Sequence, residues 1–260
     1  MRASIAVSHH QLRAEPSGED AAWALPFLGL LDLPALTLPV AAELTGWPQD
    51  RTEAALDRLI DSRLHARDHL RRTGLPETTL GLHGNLVSCY RQLGRHDEAL
   101  ASLEEGLELV KGQGMLAHEA RYLAMRGQIH FDLERFEESV VALEASLARW
   151  AEVDSPYGAA IATMNLADAH LELRQYDQAH AAYRRGHDLS KIAGLRHGEI
   201  AGLWGMGRTS RQLGDLEVSM EYLRQSLLLM RELGLITQED ADQRLASLHD
   251  EQSVPDVFMS

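Results

Sequence analysis

Cysteine is almost absent from this 260-residue chain: Cys89 stands alone. One thiol excludes an intramolecular disulfide and any cysteine-based metal cluster, and it fits a reducing, cytoplasmic compartment. Lysine is nearly as scarce, with only Lys111 and Lys191, so a phosphate-cradling loop of the G-x-x-x-x-G-K-[ST] type has no lysine to use and none is present. Aromatic residues are 5% of the chain, too few for a typical sheet protein. No uninterrupted apolar run approaches membrane-spanning length. The most apolar stretch, residues 24–40, is broken by Pro26, Asp32, Pro34 and Pro39. The N-terminal twenty residues lack the apolar core of a signal peptide, so the expectation is a soluble protein with no membrane partner.

Leu, Ala, Glu and Arg dominate what remains, and 45% of residues are hydrophobic. That composition supports a continuous core and favours helices. The formal net charge of −14 repels a phosphate backbone, which opposes use of the whole surface on nucleic acid.

The chain repeats itself. Leu93, Leu133, Leu173 and Leu213 lie 40 residues apart, in LGRHDEALASL, LERFEESVVAL, LRQYDQAHAAY and LGDLEVSMEYL. An acid follows in register (Asp97, Glu137, Asp177, Glu217), then a small residue (Ala99, Ser139, Ala179, Ser219), then a large one (Leu103, Leu143, Tyr183, Leu223). Each unit reads as two amphipathic helices, A and B, with A of the first unit over about 77–93 and B over about 97–111. The small column lets helices approach and the large column fills the gap between them. Gly114, Asp154, Gly194 and Gly234 mark the ends of the B helices, where a left-handed cap residue belongs.

These columns resemble the tetratricopeptide repeat in a long variant, lacking the family's proline at the end of helix B. The resemblance implies an all-α fold: a right-handed superhelix (an α-solenoid) of four repeats over 75–235 with a concave inner face. Thr237 with Asp240 three residues on predicts a final helix that caps the stack, over 236–250, before a frayed tail at 251–260.

Residues 1–74 do not share the period. Helices are predicted near 19–31, 39–44 and 50–64, and LPVAAELTGWPQDRTEAALDRLIDSRL has the rhythm of a helix-turn-helix with Gly46 and Pro48 in the turn. With RASIAVSHHQL and FLGLLDLPALTLPVAAELTG, this stretch resembles the winged-helix segment of actinobacterial NB-ARC regulators of the antibiotic-regulator type. In those proteins tetratricopeptide repeats lie further along the chain. The resemblance implies the sensor half of such a regulator, without its ATPase domain; a separate ATPase or regulator chain is then a candidate partner. Asp50, Glu53, Asp57 and Asp61 along the would-be recognition helix oppose entry into a DNA groove, while Arg63, Arg67, Arg71 and Arg72 form a basic cluster able to touch a phosphate backbone. DNA is a disfavoured partner on this balance.

Nothing in the sequence points to catalysis, a cofactor or a metal. His65 and His69 share a helix face but have no further ligand at metal spacing, and His118-Glu119 lacks the second histidine of a metalloprotease helix. His130 and His170 occupy the column of Tyr90 and read as packing residues, and Cys89 reads as buried. The expectation is a non-enzymatic regulator or adaptor, with a DNA-binding transcriptional regulator as the alternative.

By resemblance, helix A supplies the ligand-facing groove for a peptide or protein partner. Three columns are implicated: Asn85, Met125, Asn165 and Gly205; Ser88, Gln128, Asp168 and Arg208; and Arg91, Phe131, Leu171 and Arg211. Arg121 and Trp204 fall on adjoining columns. An asparagine amide both donates and accepts, so Asn85 and Asn165 suit a peptide backbone of any sequence. Arg91, Arg121, Arg208 and Arg211 suit carboxylates and predict an electropositive strip inside an acidic protein.

Overall fold

A computed structural model describes residues 76–247, together with Ala54 and Asp57. The described residues form helices α1 (Pro76–Gln92), α2 (His96–Val110), α3 (Leu116–Asp132), α4 (Phe136–Val153), α5 (Pro156–Glu172), α6 (Tyr176–Ala193), α7 (Arg196–Gln212), α8 (Leu216–Glu232) and α9 (Gln238–Ser247), with no strand among them. The odd-numbered helices α1 to α7 begin at 76, 116, 156 and 196, and the even-numbered α2 to α8 at 96, 136, 176 and 216. The expected all-α hairpin repeat is therefore observed, with its 40-residue period kept at both helices of each pair. Most of the predicted N-terminal module, including Arg63, Arg67, Arg71 and Arg72, lies outside the described residues; the two described positions within it, Ala54 and Asp57, are helical.

The hairpin turns explain the regularity. Each A helix ends with a residue in the left-handed region: Gly94 (φ 69°), Glu134 (57°), Arg174 (56°) and Gly214 (86°). In all four turns the next amide closes back onto the helix, as in Arg95 N–H to Tyr90 O (2.8 Å) and Asp215 N–H to Ser210 O (2.9 Å). This is the Schellman termination, which satisfies carbonyls that the helix end would leave unbonded. The B helices end the same way in conformation, with Gly114 (70°), Asp154 (53°), Gly194 (70°) and Gly234 (70°). At α9 the expected capping box forms: the Thr237 amide and hydroxyl donate to Asp240 Oδ2, and the Asp240 amide donates to Thr237 Oγ1.

Packing follows the columns. Ala99, Ser139, Ala179 and Ser219 are buried, as are Leu103, Leu143, Tyr183 and Leu223. Opposite the large column the A helices carry small residues: a Cβ on Gly127 would stand 2.6 Å from Leu143 Cγ, and one on Gly207 2.6 Å from Leu223 Cγ. A second small column on the B helices secures the pairs by hydrogen bonds, with Ser146 Oγ donating to Ala120 O (2.7 Å) and Ser226 Oγ to Ile200 O (3.3 Å).

Two compact units result, Met1–Arg149 and Trp150–Ser260, and the division falls inside α4. In the first, Leu86, Val87, Leu103, Tyr122 and Ile129 form the core, and the Tyr122 hydroxyl donates to Leu80 O at 2.6 Å. In the second, Ala167, Tyr183, Leu203 and Met206 form one cluster and Ile200, Trp204, Leu223 and Leu227 another.

Candidate functional site

The A helices of the first unit, α1 and α3, bring together two of the residues expected to line a groove. Arg91 Nη1 donates to Gln128 Oε1 at 2.6 Å, and Arg91 Nε pairs with Asp132 Oδ2 at 3.1 Å. Gln128 and Asp132 are one turn apart on α3, so a single guanidinium grips both. Burial lowers the Arg91 pKa against the pull of Asp132, and burial raises that of Asp132 against the pull of Arg91 and His96. Each charge loses hydration, and the partner compensates in part. Asp132 belongs to this site although it is absent from the expected columns. Its signal was present: it lies four residues after Gln128, on the same helical face.

The remaining first-unit candidates separate. Arg121 lies over α1, where a Cβ on Gly84 would be 3.6 Å from Arg121 Cζ. Ser88 turns its hydroxyl back to Gly84 O (3.2 Å) in its own helix. Phe131 packs edge-on against Phe136, with ring centroids 5.3 Å apart. Met125 is buried in the core, and Asn85 is half-buried.

In the second unit, α5 and α7 bring Asp168 and Arg208 into electrostatic range of each other. Asp168 Oδ1 accepts the Tyr183 hydroxyl at 2.5 Å. Burial pushes Asp168 up to about 6, with the Tyr183 hydrogen bond and Arg208 pulling it down and Glu172 adding to the rise. Burial and the adjacent carboxylate hold the Tyr183 phenol well above its ordinary value. Asn165, one turn before Asp168, is buried, and its amide nitrogen has no hydrogen-bond partner among the described residues. Arg211 is partly exposed near the end of α7, whereas Leu171 and Trp204 are buried. Trp204 packs on Leu223 and Leu227 in the core. Gly205 lies under the Tyr183 ring.

The expected arginine strip thus carries its own acids: Asp132 beside Arg91, and Asp168 facing Arg208. The described residues contain no group of three or more metal-capable side chains, and none of their helices is long and apolar enough to cross a membrane. Cys89 is buried.

Helical hairpins repeated in register, with small and large columns interlocking, define an all-α repeat protein of the solenoid class. Within them, residues 116–192 match the tetratricopeptide repeat family, as do residues 80–109. Among solved structures, BtubC (BKLC) from P. vanneervenii is similar at 16% identity, over 90% of this chain and 91% of that one, with a TM-score of 0.62. A Signal Transduction ATPase with Numerous Domains from Pyrococcus horikoshii, which has a tetratricopeptide repeat sensor, is similar at 16% identity over 76% of this chain and 30% of that one (TM-score 0.62). MamA is similar at 17% identity over 72% and 96%, with a TM-score of 0.53. At such identities the likeness is one of fold. No curated protein matches the sequence.

Proposed function

We propose that this chain is a non-enzymatic regulatory or adaptor protein that binds a peptide or a protein partner on the A-helix faces of its repeats. The observation that carries the reading is the polar set on the A helices of the second unit: a half-buried Asp168 with Arg208 in electrostatic range and Asn165 one turn before it. A carboxylate and a guanidinium on one face suit the N–H and the C=O or carboxylate of a peptide.

The finer proposal is regulation in a bacterial cell, supported by the resemblance of the N-terminal strings to the winged-helix segment of NB-ARC regulators. A sensor role is also what is stated of the repeats in the Pyrococcus horikoshii protein. In this reading occupation of the A-helix face is the input, and the N-terminal module or a separate ATPase chain receives it.

The test is affinity capture from cells of the source organism with wild type and with the Asn85→Ala/Asn165→Ala double variant. Partners recovered with wild type and lost with the variant are expected. Equal recovery would sink the assignment of this face.

A further inference from the structure

The repeats provide their own control, and the third one departs from it. Three repeats fill the large column with leucine, at Leu103, Leu143 and Leu223; the third uses Tyr183. The larger ring is accommodated by Gly205, where an added Cβ would run into the tyrosine ring. A glycine inside a helix costs about 1 kcal/mol relative to alanine.

What the exchange produces is a hydroxyl aimed at Asp168. Tyr183 is 3% exposed, and its phenol donates to Asp168 Oδ1 at 2.5 Å. The second carboxylate oxygen accepts no hydrogen bond from the described residues. Asn165, 8% exposed, lies one turn earlier on the same face of α5, with its amide nitrogen enclosed and without a hydrogen-bond partner among the described residues. The charged groups around the carboxylate are Glu172 on α5 and Arg208 on α7, with the Tyr183 phenol on α6.

We propose that Tyr183 is a positioning residue of the second unit: it holds Asp168 so that the unbonded carboxylate oxygen accepts an N–H from a bound peptide backbone, which makes binding require an ionised Asp168. The proposal rests on the peptide-binding reading above and adds the acceptor, its anchor and a pH dependence. Asp168 is raised to about 6 chiefly by burial, so the acceptor is lost as pH falls through that value. Removing the phenol removes a hydrogen bond that stabilises the carboxylate, and the loss then begins at higher pH.

The test uses the full chain, immobilised, and a pool of N-acetylated, C-amidated random heptapeptides at pH 7.5. The tightest ligands are then titrated against wild type, Tyr183→Phe and Asp168→Asn from pH 5.5 to 8. Wild-type binding is expected to fall with a midpoint near pH 6. Tyr183→Phe is expected to bind about tenfold more weakly at neutral pH, with its midpoint moved upward. Tyr183→Phe keeps the ring that Gly205 accommodates, and its urea midpoint, measured alongside, separates a folding defect from a binding one. Replacing one ligand amide by an ester is expected to weaken wild type and leave Asp168→Asn unchanged. Tyr183→Phe matching wild type in both affinity and midpoint would overturn the proposal. Ligands lost on Asn165→Ala but indifferent to Tyr183→Phe and Asp168→Asn would overturn it while leaving the groove in place. A pool from which wild type retains nothing would overturn both.

Discussion

Three residues hold a left-handed backbone without being glycine: Glu134, Asp154 and Arg174. A side chain in that conformation costs roughly 1 kcal/mol, because Cβ crowds the following carbonyl. Glu134→Gly and Arg174→Gly are each expected to stabilise the protein by about 0.5–1 kcal/mol, read as a rise in the urea midpoint. The opposite sign is expected at Gly127. Its added methyl would meet Leu143 at 2.6 Å, and Gly127→Ala is expected to cost about 1–3 kcal/mol through overpacking, measured in the same way. Asp168 gives a third expectation. Its folded pKa of about 6 lies above the ordinary 3.8, so the folded state binds the proton more tightly between those values. Stability contributed by this group is therefore present at low pH and declines as pH rises from about 4 to about 6. Asp168→Asn is expected to remove that decline, and urea titrations of the two proteins at pH 4.5 and pH 7 compare it directly.

At the scale of elements, the repeat is legible because the turns and columns that build it are local. The spacing of Leu93, Leu133, Leu173 and Leu213 predicted the hairpins, and each helix of the first pair begins and ends within a residue or so of its expected bounds. The capping box is equally local, since Thr237 and Asp240 need only one turn of backbone to meet. Thr237→Ala is expected to cost about 1 kcal/mol of the stability of α9, seen as faster amide exchange over 238–247 with little change elsewhere. The site was less legible. Column position could say that Arg91 and Gln128 share a face, but the 3.1 Å pairing of Arg91 with Asp132 depends on how closely α1 and α3 approach. Met125 and Trp204 were expected on or beside the groove and lie in the core. The helical period gives a direction for each side chain, whereas the next helix decides whether that direction opens to solvent.

For the whole molecule, charge carries the argument. A formal charge of −14 acts on every encounter with another polyelectrolyte, independent of fold. A DNA-binding titration across a salt series is expected to show no appreciable affinity at physiological salt; tight binding that weakens steeply with salt would favour the DNA-binding alternative. The sequence by itself determined the period, the helical class, the left-handed ends of the B helices and the scarcity of cysteine and lysine that shaped the functional reading. All of these depend on neighbours within one or two helical turns or on composition. Only the tertiary structure decided that Tyr183 reaches Asp168, that Gly205 makes room for its ring, and that the Asn165 amide is buried without a partner among the described residues. Those facts join residues on three different helices, and the distance between packed helices is set by all the side chains between them at once.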